Sequence, residues 1–220
     1  MKSTMRIVIY GCGENGFQAF HCLRHDTNIE ILGFLDDNSA KHGKEYLGLP
    51  VLGDLNAIPK LIREAGVQGG IVGIGHNHTR GRMTARLREA GLELVRAIHP
   101  QVMVNSPERI GLGGIFEMGA AIHAGATIGD GVFMGTSAIV AHHCVIGDFT
   151  ILSGGASFGG GVRVGSYTLI GVGASIHPHI AIGSNVIVGV GAAVVKDVPD
   201  NVVVAGVPAR IIRTLDPDAT

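Results

Sequence analysis

The chain has 220 residues, room for one or two domains. Its formal net charge at neutral pH is -1, which leaves no electrostatic case for a nucleic-acid surface. With 35 Gly, 5 % aromatics and no Trp, the composition suits a thin repetitive scaffold better than a core built on large rings.

The first residues, Met1-Lys2-Ser3-Thr4-Met5-Arg6, lead straight into the apolar Ile7-Val8-Ile9-Tyr10 without the pattern of a signal peptide. No apolar run reaches the roughly 18 residues of a membrane span. Cys12, Cys22 and Cys144 have neither metal-ligand nor redox spacing, and they read as small residues in a reducing cytoplasm.

Up to about residue 99 the chain alternates strand and helix patterns. Strands are predicted at Arg6 to Tyr10, Ile29 to Leu35, Gly70 to Ile74 and Leu92 to Ile98. Helices are predicted at Phe17 to His25, Leu55 to Ala65 and Thr79 to Ala90. The order implies a small, mostly parallel, Rossmann-like α/β domain over 1-99.

Between the first strand and helix, Gly11, Gly13 and Gly16 form a G-x-G-x-x-G turn with Glu14 and Asn15 inside it. Such a turn lets backbone N–H groups and a helix N-terminus meet a phosphate. It also serves as a plain tight turn. Asp36-Asp37 closes the second strand about 20 residues on, where ribose hydroxyls bind in such folds. Gly75-His76-Asn77 closes the third. These residues are the candidate nucleotide site, and the motif leaves NAD and a sugar nucleotide both open.

From Val104 to Val194 an apolar residue falls on every sixth position, through Ile110, Phe116, Ile122, Ile128, Met134, Val140, Ile146, Leu152 and Phe158 and onward. Four residues later comes a small or β-branched residue, as at Ala126, Val132, Ala138, Ala156 and Thr168. A period of six excludes a helix and implies a solenoid of short strands and turns, three to a triangular coil of eighteen residues. The all-β prism covers 100-220 with a short C-terminal tail. Residues eighteen apart stack about 4.8 Å apart on successive coils. His142 therefore stacks on Gly160, then Pro178, then Lys196. An imidazole beside an open backbone N–H is the minimal apparatus for acyl transfer, with a base for the nucleophile and a donor for the oxyanion. The other histidines, among them His21, His25, His123, His177 and His179, read as surface or packing residues.

The motifs Gly11-Cys12-Gly13-Glu14-Asn15-Gly16, Phe34-Leu35-Asp36-Asp37, Ile74-Gly75-His76-Asn77, Ile98-His99-Pro100, Thr136-Ser137, Val140 to Asp148 and Ala205-Gly206-Val207-Pro208-Ala209-Arg210 run along nearly the whole chain. Together they resemble the sugar-nucleotide acetyltransferases related to the sialic acid O-acetyltransferase. That family includes the N-acetyltransferase of bacillosamine biosynthesis and the perosamine N-acetyltransferase. The resemblance implies a left-handed parallel β-helix, a cytoplasmic bacterial enzyme, a homotrimer, and acetyl-CoA as co-substrate with no metal. It implies catalytic residues His142, His143 and Gly160, with His142 as the general base and the Gly160 N–H on the thioester oxygen. It places the nucleotide-linked amino sugar on Gly11, Gly13, Glu14, Asn15, Gly16, Asp36, Asp37, Gly75, His76 and Asn77. Acetyl-CoA falls along Ile151, Gly160, Gly173, Pro178, Gly191, Lys196 and Arg210. Three positions depart from the family pattern: Asn15 stands where His is common, His143 where Glu or Asp is common, and Gly135 where Asn is common.

The expected activity is N-acetylation of a nucleotide-linked amino-dideoxy sugar, of the UDP-4-amino or GDP-perosamine type, for a surface glycan. An amine needs only a base and an oxyanion donor, and no covalent intermediate. The alternatives are O-acetylation of a sugar of the sialic acid type and, in another class, a trimeric nucleotide-binding regulator without catalysis. A three-histidine zinc site of the hexapeptide-repeat carbonic anhydrase kind is disfavoured, because His123, His177 and His179 fall on other columns than His142.

Overall fold

A computed structural model describes residues 4–216, so Met1-Lys2-Ser3 and the last four residues of the tail lie outside the described residues. The chain divides into two compact units, Met1–His99 and Pro100–Thr220.

In the first unit β1 (Met5–Tyr10) leads through a glycine turn to α1 (Glu14–Leu23) and then to β2 (Ile29–Leu35). Helix α1 starts three residues earlier than the apolar pattern implies. Gly13 takes the extended N-cap conformation, and Glu14 in the first turn suits the positive end of the helix dipole. A hairpin of β3 (Glu45–Tyr46) and β4 (Leu49–Pro50) follows. Its turn uses two left-handed residues, Leu47 at φ 53° and Gly48 at φ 77°. A leucine in that conformation is no turn signal, so the sequence pattern missed the hairpin.

The predicted helix at Leu55 begins instead as a 3-10 turn over Leu55–Ala57, capped by the Asp54 carboxylate on the Asn56 N–H at 2.9 Å. The α-helix proper, α2, is Ile58–Ala65, since Pro59 fits only the first turn, and it ends on left-handed Gly66. Then come β5 (Gly69–Val72), α3 (Asn77–Glu89) and β6 (Glu93–Leu94). The last predicted strand is therefore shorter than Leu92 to Ile98, with a separate two-residue strand at Ala97–Ile98.

The sheet order is β2-β1-β5-β6 and every pairing in it is parallel. The chain leaves β1 for β2 on one side and returns past it to β5 on the other. Adjacent β1 and β5 thus form a switch point, where ligands of open α/β sheets bind. Ile7, Val8, Ile9, Phe34, Leu35 and Ile71 have no exposed surface and fix the sheet in its core.

In the second unit the hexad becomes two-residue parallel strands. Ala121 pairs with Ile139, Thr127 with Val145 and Phe133 with Ile151, each eighteen residues on. The beat residues from Ile110 to Val194 are buried, and the small residues four places later are buried with them. Each fully buried aliphatic beat residue contributes roughly 1.5–3 kcal/mol of transfer free energy before entropy is counted. Inward polar residues are satisfied at the corners. Thr150 Oγ1 donates to the Gly165 carbonyl at 2.9 Å, and Thr168 Oγ1 to the Gly183 carbonyl at 2.8 Å. The third turn position is left-handed at every corner, by Gly119, Gly131, Gly155 and Gly173, and also by Ser137, His143, Phe149, Tyr167, His179 and Asn185.

After Val194 the coil shortens. Ile182 bridges to Val198 and Val188 pairs with Val204, sixteen residues apart instead of eighteen. An antiparallel hairpin of Val202–Gly206 and Ala209–Thr214 ends the prism, and the Val207–Pro208 peptide in its turn is cis.

Candidate functional sites in the two units

The first site is a cavity of about 420 Å3 at the switch point, lined by Tyr10, Gly11, Cys12, Gly13, Glu14, Asn15, Asp36, Asp37, Lys41, Gly73, Ile74 and Gly75. Seven of the ten expected nucleotide-site residues come together here: Gly11, Gly13, Glu14, Asn15, Asp36, Asp37 and Gly75. The glycines divide the work. A Cβ on Gly16 would collide with the Gly11 carbonyl, and one on Gly11, at φ 112°, would sit 2.7 Å from the Gly73 carbonyl oxygen. These two let the turn pack on the end of β5. A Cβ on Gly13 would meet nothing within 4 Å, so Gly13 leaves open space at the helix N-terminus.

Asp36 frames the cavity. Its carboxylate accepts from the Cys12 N–H at 2.9 Å, the Asn38 N–H at 3.0 Å and the Lys41 ammonium at 2.7 Å. Burial pulls this carboxyl up, but the Lys41 charge and the two backbone donors outweigh burial and hold it below the ordinary range. Lys41 Nζ also donates to the Cys12 carbonyl at 3.3 Å, and Tyr46 Oη donates to the Gly13 carbonyl at 3.1 Å. Asp37, by contrast, hydrogen-bonds Tyr10. Burial first, and then this carboxylate, push the phenol well above its ordinary value. Burial and the Asp36 charge likewise raise the Cys12 thiol to about 11.

His76 and Asn77 have other tasks. The His76 ring caps α3 by accepting from the Thr79 N–H at 3.3 Å. Asn77 Oδ1 accepts from Arg80 at 3.2 Å. Arg80 is 1 % exposed and also donates to the carbonyls of Ile74 and Gly75 at 3.1 and 3.2 Å, which fixes the β5 wall of the cavity. Sequence reading missed Lys41, Tyr46 and Arg80. Lys41, five residues after Asp36, carried a readable signal. Arg80 carried none, because one of four arginines in a polar helix reads as solvated.

The second site lies on one corner of the prism. The ring of His142 lies over Gly160, where an added Cβ would collide with the imidazole and sit 2.7 Å from Nε2. His142 Nδ1 is 3.0 Å from His143 Nδ1, with the two rings nearly perpendicular. On another corner the turn N–H groups are capped by side chains of the next coil. Leu112 N donates to Asp130, Asp130 N to Asp148, Asp148 N to Ser166 and Ser184 N to Asp200. The equivalent partner of Gly160 is Pro178, which offers no such acceptor. Among the described residues the Gly160 N–H is therefore left without an acceptor.

The remaining expected residues spread along the prism. Gly155, Gly173 and Gly191 stack as left-handed glycines, and a Cβ on Gly173 or Gly191 would meet nothing within 4 Å. Beside them Val172 and Val190 are exposed. Ile151 is half-buried on the outer side of a flat face, in register with Phe133 and Leu169. Lys196 and Arg210 both line a groove of about 340 Å3 between the last coil and the terminal hairpin. Of the three departures, Asn15 lines the first cavity and its amide faces Gly75. Gly135 packs tightly on the next coil near Gly154. Among the described residues no three His, Cys, Asp or Glu side chains cluster as a metal site. No helix of the described residues is long and apolar enough to cross a membrane.

The chain matches the family model of the PglD N-terminal domain over residues 6–87. It is 38 % identical to PerB from Caulobacter crescentus, whose crystal structure holds CoA and GDP-perosamine. That match covers 94 % of this chain and 97 % of PerB with a TM-score of 0.87. It is 31 % identical to the acetyltransferase domain of PglB from Neisseria gonorrhoeae in complex with acetyl coenzyme A, covering 96 % of this chain and 100 % of that domain at TM-score 0.86. It is also 25 % identical over 109 residues to the redox-sensing transcriptional repressor Rex 1 of Thermotoga maritima. That stretch is 49 % of this chain and 52 % of Rex 1, so the chain spans about half the length of the curated relatives it matches.

Proposed function

The chain belongs to the family of left-handed β-helix sugar-nucleotide N-acetyltransferases, and from that premise we propose that it transfers the acetyl group of acetyl-CoA to the amine of a nucleotide-linked amino-dideoxy sugar. The observation that carries the chemistry is the His142 ring lying over Gly160, whose N–H is uncapped. In the proposed reaction the neutral amine attacks the thioester carbonyl. The new N–C bond forms as His142 Nε2 takes the amine proton. The Gly160 N–H holds the developing oxyanion. Collapse breaks the C–S bond, and the proton on His142 passes to the thiolate, which leaves as CoA-SH.

The cavity of the first unit takes the nucleotide part of the acceptor. Gly13 and the N-terminus of α1 provide room and donors for the diphosphate. Asp37 is placed for hydroxyl or base N–H groups, while Asp36 and Lys41 keep the turn in shape. Acetyl-CoA runs along the prism from His142 towards the groove of Lys196 and Arg210, where its phosphates meet the two cations. His142 is exposed on a single prism. A second copy in a homotrimer supplies the missing wall, which accounts for the flat apolar outer face around Ile151.

The likeness to PerB favours a GDP-linked 4-amino-4,6-dideoxy sugar as the first substrate to assay, with UDP-linked 4-amino sugars next. The likeness to a redox-sensing repressor keeps a nucleotide-sensing regulator as the second reading. That reading gives no role to His142 over Gly160. A thiol-release assay with acetyl-CoA and a panel of nucleotide-linked amino and hydroxy sugars separates them. Turnover with an amino sugar is the expected result, turnover only with a hydroxy sugar would move the assignment to O-acetylation, and none with any sugar alongside tight NAD binding would favour the regulator.

A further inference from the structure

The contact between His142 and His143 has a chemical consequence that neither residue carries alone. Their Nδ1 atoms are 3.0 Å apart, so one must hold the hydrogen and the other the lone pair. The orientation of His142 decides which. The Cε1 edge of the ring faces Gly160, with Nε2 2.7 Å and Nδ1 3.1 Å from where a Cβ would sit, and Nδ1 is the nitrogen engaged by His143. Nε2 is thus the nitrogen left to act as a base, and it needs the lone pair, so the hydrogen is on Nδ1. His143 must then accept at Nδ1 and carry its own hydrogen on Nε2. That nitrogen lies over Gly125 on the preceding coil, 3.3 Å from where a Cβ there would sit, and the His143 side chain is exposed to water.

We propose that His143 is the positioning residue that fixes the tautomer of His142, and that it does so only while neutral. The inference rests on the assignment of His142 as the base. A carboxylate at position 143 would accept the same hydrogen bond at any pH above its own titration. An imidazole differs, because protonation places a hydrogen on Nδ1 and removes the acceptor. Acid therefore disables the pair at either ring.

The other titratable groups of this corner do not take over the task. Cys144 turns its thiol inward to the Gly159 carbonyl at 3.2 Å. His177 holds the Pro178 carbonyl through Nδ1 at 3.0 Å, and His179 leans on Gly161. Asp197 accepts from the Ala181 N–H at 2.8 Å, beside Lys196. His123 lies on the coil before, one register position from His142. Among the described residues no carboxylate, Lys or Arg bonds either ring of the pair.

Backbone strain does not confound the test. His143 is left-handed at φ 59°, and Phe149 holds the equivalent turn position at φ 54° in the same chain. His143→Phe should therefore fold, and its kcat should fall roughly 10–100-fold, the usual effect of losing a partner that orients a working histidine, with KM for both substrates unchanged. His143→Asn, which accepts through Oδ1 and favours the left-handed conformation, should recover a large part of kcat. His143→Glu should recover most of it at alkaline pH and move the acid limb of the rate profile to higher pH, because a carboxylate stabilises the imidazolium of His142. The direct readout is long-range 1H–15N NMR on 15N-histidine protein, with the two rings assigned from His142→Ala and His143→Phe. Wild type should show His142 with hydrogen on Nδ1 and bare Nε2. A His142 ring with hydrogen on Nε2, or full kcat in His143→Phe, would overturn the inference while His142→Ala remains inactive. Turnover surviving in His142→Ala would instead overturn the base assignment beneath it.

Discussion

At the scale of single residues, the prism corner and the glycine turn work by opposite uses of small side chains. Gly160 is small so that a ring can lie on it, and Gly13 is small so that nothing does. Gly160→Ala forces the His142 ring aside, since its Cβ would overlap the imidazole. Steady-state kinetics should show kcat reduced at least about 10-fold, within the range lost with a misplaced base, and KM for the sugar nucleotide little changed. An unaltered kcat would mean that the ring moves freely and that its place over Gly160 is incidental.

The first cavity makes two predictions about ionisation. Asp36 has a folded pKa below its unfolded value, so its stabilisation is fully present above an ordinary aspartate pKa of about 3.9 and is lost as pH falls through the folded value. Asp36→Asn should cost about 1.5–3 kcal/mol at neutral pH, the usual worth of hydrogen bonds to a charged group. It should also flatten the acid end of the stability curve read by urea unfolding at several pH values. Cys12 moves the other way. With its thiol raised to about 11 by burial and by Asp36, it is un-ionised at neutral pH. Alkylation of Cys12 should be slow at pH 8, accelerate towards pH 11, and be blocked by a bound nucleotide sugar. Rapid labelling at pH 8 would show a thiolate that this environment forbids.

At the scale of elements, the prism is a stack in which each coil is held by its neighbours, so defects should act locally and add up. Thr168 is a sharp probe. It has no exposed surface, donates to the Gly183 carbonyl at 2.8 Å and accepts from the Val186 N–H at 3.1 Å. Thr168→Val keeps the shape but orphans both groups, and should lower stability by about 1–3 kcal/mol in denaturant unfolding. A neutral result would show that the coil relaxes enough to pair them otherwise.

Much of this element structure was legible. The six-residue beat fixed the register of the coils, and the eighteen-residue stacking that puts His142 on Gly160 followed from counting alone. The strand at Ile29–Leu35 was legible to its ends because Asn28 and Asp36 bracket an apolar run interrupted only by Glu30 and Gly33. What the pattern hid has local causes. The hairpin after β2 turns on a left-handed Leu47, and Pro59 delays α2 behind a 3-10 turn. The coil loses two residues after Val194, which no periodicity foretells. At the site, sequence order placed the glycine turn beside Asp36 and Asp37. It did not reveal that Asp36 is occupied by Cys12, Asn38 and Lys41, because that depends on how the turn after β2 folds back.

In the whole molecule, the proposed reaction needs two units with different tasks and more than one copy of the chain. Light scattering should report a trimer, since closed cyclic symmetry is the norm for homo-oligomers and a three-sided prism presents equivalent faces. A fully active monomer would contradict a groove walled by two subunits. Lys196→Ala should raise KM for acetyl-CoA modestly, and more at low salt, as expected for exposed charge pairing. The measurement that bears most directly on the account is CoA release from acetyl-CoA with a nucleotide-linked 4-amino-4,6-dideoxy sugar, in wild type and His142→Ala. Release should require the amino sugar, yield its N-acetyl product by mass, and fall roughly 10²–10⁴-fold in the variant. Equal rates in the two proteins, or no acetylation of any nucleotide-linked amino sugar, would contradict it.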